Sequence, residues 1–211
     1  MYEYIQDKQL RGELRERCES VILIVQKLIR GYFTFSYKLI GSGDNRLMMV
    51  NGKNKAIDLD YNLVIQRDKK QLVDNPKQIK QLFMSAFKQA CGNKTKVSDS
   101  TKVITCKFGN IGIYSFSLDI AIFIECNDGY IYKLINDKNS IPSRYIWNKI
   151  PKSRNYEYKF LCLKREGYWE EIKELYKNKK NKYLKNGDDI SSFEILLSVI
   201  NELIQKHRIN I

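Results

Sequence analysis

Two aspartates alternate with large apolar residues in the segment Ile57-Asp58-Leu59-Asp60-Tyr61. Successive side chains of a β-strand point to opposite faces, so this pattern predicts a strand with both carboxylates on one face. The flanking sequence extends the predicted strand from Lys55 to Ile65. Two carboxylates held side by side repel each other, and their crowding is unfavourable unless a cation neutralises them.

A third aspartate, Asp119, interrupts the apolar run Phe116–Phe123. A lone aspartate in such a run is more often a strand-end or edge residue than a ligand. A second acidic strand that pairs beside it favours a ligand role instead. Carboxylate oxygens favour Mg²⁺ or Mn²⁺ over zinc. Three carboxylates on adjacent strands can hold two such ions roughly 3.5–4 Å apart, the arrangement that supports phosphoryl transfer. We therefore expect a metal site formed by Asp58, Asp60 and Asp119.

A turn of small residues follows the aromatic and β-branched run Phe33–Ile40, which predicts a strand. The turn reads Gly41-Ser42-Gly43-Asp44-Asn45. Small residues let backbone N–H groups approach a phosphate closely, and the Ser42 hydroxyl adds a further donor. Taken alone, such a turn is a weak signal for phosphate binding.

Three motifs occur in a fixed order: Leu39-Ile40-Gly41-Ser42, then Ile57-Asp58-Leu59-Asp60-Tyr61, then Leu118-Asp119-Ile120. This order resembles the nucleotidyltransferase superfamily of DNA polymerase β. The segment Ser100–Phe108 resembles the corresponding strand of the oligoadenylate synthetase and cyclic-dinucleotide synthase branch. The resemblance covers roughly residues 33–125. It implies an α+β nucleotidyltransferase fold, with a small mixed β-sheet flanked by helices and a helical C-terminal part.

The resemblance also implies an activity: Mg²⁺-dependent transfer of a nucleoside monophosphate from a nucleoside triphosphate to an acceptor hydroxyl, with release of pyrophosphate. Asp58, Asp60 and Asp119 are then the catalytic residues and the ligands of two Mg²⁺ ions, with Mn²⁺ as a substitute. Gly41 and Ser42 would hold the triphosphate.

Basic and aromatic residues of the C-terminal part could complete the nucleotide site. Lys159, Lys164 and Lys173 are candidates for phosphate contacts, although a solvated helix face explains each of them equally well. Trp147, Tyr168 and Trp169 could stack on a base, but large aromatics more often belong to the core.

Hydrophobic periodicity predicts the other elements and the domain organisation. We expect a catalytic core at residues 1–140, including an N-terminal helix, and a basic helical part at 141–211, with Pro142 and Pro151 near the boundary. Expected helices cover residues 9–29, 76–90, 166–178 and 190–205, and expected strands cover 102–108, 111–125 and 130–135.

The net charge of +13 predicts attraction to polyanions. Between Lys149 and Lys185 there are 12 Lys and Arg against 5 Asp and Glu. This excess slightly favours RNA or a second nucleotide as the acceptor, although a lysine-rich solvated surface explains the charge equally well.

The cysteines and the apolar runs bear on localisation. Five widely spaced cysteines without a CxxC pair, and one histidine, argue against a zinc site and favour reduced thiols in the cytoplasm. The first apolar run, Val21–Val25, is too short for a signal peptide, and no run is long enough for a membrane span.

Two other functions remain open from the sequence. A protein of the same fold could bind nucleotide or RNA without catalysis, although all three acidic positions are filled. A metal-dependent nuclease could also use clustered carboxylates. Such sites usually recruit lysine or histidine near the acids, and none lies within two residues of Asp58 or Asp60.

Overall fold

The computed structural model describes residues 1–44, 47–52, 55–126, 128–139, 144–150, 156–187, 190 and 192–209. In chain order the elements are β1 (Tyr2–Tyr4), α1 (Lys8–Ile29), β2 (Phe33–Ile40), α2 (Gly41–Asp44), β3 (Met49–Asn51), β4 (Ala56–Asp68), α3 (Pro76–Cys91), β5 (Lys96–Asp99), β6 (Ile104–Lys107), β7 (Ser115–Glu125), β8 (Ile131–Asp137), β9 (Arg144–Lys149), α4 (Tyr156–Arg165), α5 (Trp169–Asn186) and α6 (Ser192–Lys206). None of the helices in these ranges is long and apolar enough to cross a membrane.

The chain forms two compact units that do not follow its order. One unit, here the sheet unit, comprises Gln6–Ile40 and Lys55–Lys152. The other, here the helical unit, comprises Met1–Ile5, Gly41–Asn54 and Ser153–Ile211. The functional division into residues 1–140 and 141–211 stays a prediction.

The sheet unit contains a mixed seven-stranded sheet with β4 and β7 at its centre. β4 pairs with β2 on one edge and with β7 on the other. The β4–β7 pairing is parallel, and the other pairings of this sheet are antiparallel. On its other edge, β7 pairs with β6 along one part of its length and with β8 along another. β6 in turn pairs with β5, and β8 pairs with β9.

The helices α1 and α3 pack side by side over one face of this sheet. Capping residues mark the start of both helices. At the start of α1 the Asp7 carboxylate accepts from the backbone N–H groups of Gln9 and Leu10, and at the start of α3 Pro76 follows the capping residue Asn75. The apolar side chains of β4 and β7 point towards these helices and are buried: Ile57, Leu59, Tyr61, Leu63, Phe116, Leu118, Ile120 and Ile122. The alternate side chains, which include the aspartates, lie on the other face.

The helical unit has its own core. β1 and β3 form a two-stranded antiparallel sheet, and α5 and α6 pack together with α4 against α6. Its buried side chains are Leu47, Met49, Phe160, Leu163, Ile172, Tyr176, Ile195, Leu196, Val199, Ile200 and Leu203. The Tyr4 hydroxyl donates to the backbone carbonyl of Lys173 at 2.6 Å and ties β1 to α5.

The mixed sheet with flanking helices confirms the predicted α+β class. β2 has the predicted bounds, and α1 and α3 differ from theirs by about one residue. Elsewhere the structure differs from the prediction. The predicted turn after β2 is a single helical turn, α2, and the residues Asn45 and Arg46 lie outside the described ranges.

The second difference lies near the predicted domain boundary, where Arg144–Lys149 forms strand β9 against β8. Its side chains are half-buried or exposed, without strict alternation, so the sequence carries no period-two signal there. In the helical unit, α5 continues to Asn186, beyond the predicted end at 178. Lysine is a good helix former, and Gly187, with φ of 76°, provides the left-handed residue that ends the helix.

Candidate active site

The central strand pair brings the three predicted aspartates onto one face of the sheet. Asp60 in β4 is the direct partner of Asp119 in β7, and Asp58 is the partner of Ser117. Partners across a strand pair point to the same face, as do residues two apart on one strand. The face opposite α1 and α3 therefore carries Asp58, Asp60 and Asp119.

Two hydroxyl groups bind the carboxylates from neighbouring positions. The Ser117 hydroxyl donates to Oδ1 of Asp58. The Thr105 hydroxyl, on β6, donates to Oδ1 of Asp119 at 2.6 Å. Thr105 is the register partner of Asp119 across the β6–β7 pair. Sequence reasoning missed both: Ser117 is recognisable two residues before Asp119 on the same strand face, whereas Thr105 is identified only by the register.

Burial and neighbouring charge raise the pKa of Asp119. Burial contributes most, and the negative charge of Asp58 acts in the same direction. The Thr105 hydrogen bond and the ammonium groups of Lys107 and Lys133 act in the opposite direction. The carboxyl group of Asp119 is therefore less acidic than an exposed aspartate.

Lys133 on β8 is a further charged group at this face that sequence reasoning missed. Burial lowers its pKa most, and the positive charge of Lys102 lowers it further, while Asp60 and Asp119 raise it. Its ammonium group lies 5.7 Å from the ring centre of Phe123, its strand partner. The Lys133 ammonium group therefore contributes positive charge near Asp60 and Asp119.

The donor set fits a hard divalent cation: three carboxylates at alternate and paired positions of one sheet face. Asp58 and Asp119 each have one oxygen bound to a hydroxyl donor. Within the described ranges, no three His, Cys, Asp or Glu side chains already converge as a complete metal-binding group. The carboxylates therefore suit a divalent cation by their chemistry and by their positions on the paired strands.

The predicted phosphate-binding turn belongs to the helical unit. Gly41 has a φ of 65°, a backbone conformation that L side chains rarely adopt. Ser42 is buried, with 6% of its surface exposed, and its backbone carbonyl accepts from the N–H of Leu47 at 2.8 Å. The turn therefore depends on a backbone conformation that glycine adopts without strain.

The three predicted phosphate-binding lysines also lie in the helical unit, on α4 and α5. Lys173 forms an ion pair with Glu170 at 2.6 Å. The Lys164 ammonium lies 4.9 Å from the ring centre of Trp169. Lys159 is half-buried on α4. Binding of nucleotide by these lysines stays a prediction, and the ion pair gives Lys173 a structural partner as well.

The aromatic residues proposed as base-stacking groups have partners of their own. The Trp147 indole N–H donates to the backbone carbonyl of Val73 at 2.7 Å. Tyr168 stacks on His207, with ring centres 3.9 Å apart. Trp169 packs edge-to-face with Phe160. These contacts give each ring a packing role.

No protein-family model matches this sequence, and no curated protein does. Solved structures do resemble the fold. Vibrio cholerae DncV cyclic AMP-GMP synthase, in complex with the linear intermediate 5′ pppA(3′,5′)pG, matches with a TM-score of 0.67 and 8% identity, over 93% of this chain and 68% of that one. Escherichia coli DncV in its 3′-deoxy GTP bound form has a TM-score of 0.55 and 10% identity, over 92% and 65%.

The Bradyrhizobium diazoefficiens CD-NTase CdnG in complex with GTP is 18% identical over 66% of this chain, with a TM-score of 0.49. The chain spans 38% of the length of CdnG and about two thirds of the DncV chains, at 68% and 65%. The DncV matches and the mixed sheet described above show that this chain has the fold of DncV, in agreement with the nucleotidyltransferase fold expected from the sequence.

Proposed function

We propose that this chain is a Mg²⁺-dependent nucleotidyltransferase that moves a nucleoside monophosphate from a nucleoside triphosphate to an acceptor hydroxyl, with release of pyrophosphate. The observation that supports it best is the pairing of Asp60 with Asp119, with Asp58 on the same face, within a nucleotidyltransferase fold. Fold alone does not carry an activity, so the proposal depends on these carboxylates.

The three aspartates are the groups that would hold the metal. Two Mg²⁺ ions bound there, or Mn²⁺ in their place, supply charge neutralisation for the triphosphate and make the acceptor hydroxyl more acidic. Asp58, Asp60 and Asp119 would hold the ions through their carboxylate oxygens, from one face of the sheet.

Asp119 would also accept the proton of the acceptor hydroxyl. Its position beside Asp60, on the face that carries the three carboxylates, supports this role. The hydroxyl oxygen then attacks the α-phosphate, and the bond from the α-phosphorus to the bridging oxygen breaks as pyrophosphate leaves.

The triphosphate would be bound by the backbone N–H groups of the Gly41 turn and by the Ser42 hydroxyl. Lys159, Lys164 and Lys173 would add positive charge around it. Lys164 is exposed and is the most accessible of the three, whereas Lys173 would have to leave Glu170 to reach a phosphate.

The acceptor we favour is the hydroxyl of a second nucleotide, with RNA as the alternative. The V. cholerae DncV structure that shares this fold is a cyclic AMP-GMP synthase and contains a linear dinucleotide intermediate. The net charge of +13 suits either acceptor.

A nucleotide- or RNA-binding protein without turnover is the second candidate. One observation favours it: Oδ1 of Asp58 and Oδ1 of Asp119 already accept hydrogen bonds from hydroxyl groups of the chain. A binding-only protein would bind a nucleoside triphosphate in calorimetric titration and release no pyrophosphate.

The decisive experiment incubates the purified chain with each α-labelled nucleoside triphosphate and Mg²⁺, with and without RNA, and measures pyrophosphate release and labelled product. The test variant is Asp58→Asn/Asp60→Asn. The matched control is Glu125→Gln, which removes a carboxylate from the same face of β7, six residues after Asp119.

We expect pyrophosphate release by the wild type and by Glu125→Gln, and none by the double variant, with all three proteins folded. Cleavage of the added RNA without pyrophosphate release would support a nuclease instead. Nucleotide binding without any turnover, over all nucleotides and acceptors, would support the binding-only protein.

A further inference from the structure

Thr105 holds one carboxylate of the candidate site in a defined orientation. Its hydroxyl donates to Oδ1 of Asp119 at 2.6 Å, from the directly opposite position on β6. The residues on either side of it, Ile104 and Cys106, are fully buried on the opposite face. The backbone that carries the hydroxyl is therefore fixed by packing as well as by strand pairing.

An aspartate needs such a partner to present an oxygen in one place. The terminal torsion of its side chain is broad, so that a carboxylate without a fixed donor samples a range of orientations. A hydroxyl has a single proton to donate, and here it is directed at Oδ1. That contact leaves Oδ2 as the oxygen of Asp119 that is not held by Thr105.

Asp58 has a partner of the same type on β7. The Ser117 hydroxyl donates to its Oδ1, and Ser117 is its register partner in the parallel pair. Ser117 is 9% exposed, whereas the Asp58 side chain that it binds is exposed. Asp58 and Asp119 thus share one arrangement: Oδ1 is bound to a hydroxyl group of the strand beside it.

We propose that Thr105 and Ser117 are positioning residues for a divalent cation, which hold Oδ1 of Asp119 and of Asp58 so that each presents Oδ2 as a single-oxygen ligand. This inference rests on the proposed function for the identity of the ligands. It adds which oxygen of each carboxylate binds and which neighbours direct it. Donors behind a ligand commonly set metal affinity in this way.

The opposite role is physically possible and predicts the opposite result. A hydroxyl that only compensates the charge of the carboxylate would compete with a cation for it. Removing that hydroxyl would then strengthen metal binding, whereas removing a positioning hydroxyl weakens it.

The test measures Mn²⁺ binding to the full chain without nucleotide, by electron paramagnetic resonance of the free ion. Thr105→Val removes the hydroxyl, keeps the shape and suits a strand, while Thr105→Ser keeps the hydroxyl. We expect the dissociation constant for Mn²⁺ to rise about 10–100-fold in Thr105→Val and to stay near the wild-type value in Thr105→Ser. Circular dichroism establishes that each variant is folded.

Ser117→Ala provides a second, independent variant, and it decides the inference if Thr105→Val does not fold. Mn²⁺ binding that is unchanged or tighter in the hydroxyl-free variants would overturn the inference, even if the wild type turns over nucleotide. Mn²⁺ binding by the wild type without turnover would overturn only the proposed function. A wild type that binds no Mn²⁺ without nucleotide would overturn this inference, and pyrophosphate release would still decide the proposed function.

Discussion

Asp60 and Asp119 are direct partners across the parallel pair β4–β7, so two carboxylates leave the sheet side by side from strands that are adjacent only in the folded chain. Neighbouring strands lie about 4.8 Å apart, and like charges at paired positions destabilise a sheet. The fold accepts this repulsion at its centre, where a purely structural sheet would have apolar or uncharged residues.

Replacing Asp119 with asparagine should therefore stabilise the metal-free protein at neutral pH. Burial is the main cause that raises the pKa of Asp119 in the folded state, so the folded protein favours the protonated carboxyl. The stability that this carboxyl contributes is fully present below the unfolded-state pKa and is lost as pH rises through the folded-state pKa. The asparagine side chain cannot ionise, so we expect a melting temperature about 2–4 °C above the wild type in chelator, for a gain of about 1 kcal/mol.

The gain of Asp119→Asn should shrink as pH falls towards the acid range, where the wild-type carboxyl is protonated. Mg²⁺ should raise the melting temperature of the wild type and leave that of the variant unchanged, because only the wild type keeps all three ligands. Thermal melts over a pH series, with chelator or Mg²⁺, check both effects. A variant less stable than the wild type in chelator would contradict the expectation.

The backbone conformation of Gly41 leads to a second prediction. Its φ of 65° costs an L residue about 1–2 kcal/mol, so Gly41→Ala should lower the free energy of unfolding by that amount. We expect turnover to fall at least about tenfold, because displacement of the turn also displaces Ser42. Urea denaturation and pyrophosphate release measure the two effects.

The control for Gly41→Ala is Gly12→Ala in α1. A methyl group there meets no atom within 4 Å, and alanine favours a helix interior. Gly12→Ala should raise the free energy of unfolding by about 0.5–1 kcal/mol and leave turnover unchanged. Equal effects of the two substitutions would show that the backbone at Gly41 is not strained.

The ion pair between Lys80 and Asp99 supports a third prediction. Lys80 is 2% exposed, its ammonium lies 2.9 Å from Asp99, and burial lowers its pKa. Asp99 also accepts from the Tyr145 hydroxyl at 2.6 Å. The three side chains thus connect α3, β5 and β9. Asp99→Asn leaves a buried ammonium without its counter-charge, so we expect a loss of about 3 kcal/mol in urea denaturation.

Lys80→Met alone should also destabilise, and the double variant Lys80→Met/Asp99→Asn should be more stable than the sum of the single losses predicts. This double-mutant cycle isolates the ion pair. Additive losses would mean that the two side chains stabilise the sheet unit independently.

A fourth prediction concerns the cysteines, all of which are free thiols. A hydrogen bond from the Cys106 thiol lowers the pKa of Cys91, and burial raises the pKa of Cys18 to about 12. Cys91 is half-buried, whereas Cys18, Cys106 and Cys162 are buried. N-ethylmaleimide should therefore modify Cys91 first in the native protein, because the thiolate is the reacting form.

Peptide mass spectrometry over a time course would identify the modified thiol. Cys126, whose pKa is raised mainly by desolvation, should react after Cys91, and the three buried thiols only after unfolding. The Cys91→Ser variant serves as the control, and rapid labelling of Cys106 in the native wild type would contradict the packing of α3 on β6.

Much of the sheet unit could be predicted because its signals are local. The alternation around Asp58 and Asp60 identifies β4 and the face of both carboxylates, and the stripe of α3 with Pro76 identifies that helix. The expectation that the two acidic strands are neighbours is met by the β4–β7 pairing. These features depend on the residues of a single element and on the order of motifs.

The partners of the carboxylates could not be predicted in the same way. Thr105 and Lys133 reach the face of the aspartates through strand pairings, and a slip of one residue in register would turn them to the opposite face. The three-residue strands β1 and β3 are likewise identified only by their mutual pairing, which joins residues far apart in the chain. Tertiary context decides such elements.

The parallel connection between β4 and β7 also sets the order of events during synthesis. Between Asp60 and Asp119 the chain contributes α3, β5 and β6, and a parallel pair needs such a long crossover. A ribosome that has released β4 has therefore produced two repelling carboxylates without their third partner. The acidic cluster comes into existence only when β7 emerges and inserts beside β4, a late, non-local event of the kind that slows folding. Nascent chains that end before β7 consequently lack one of the three carboxylates.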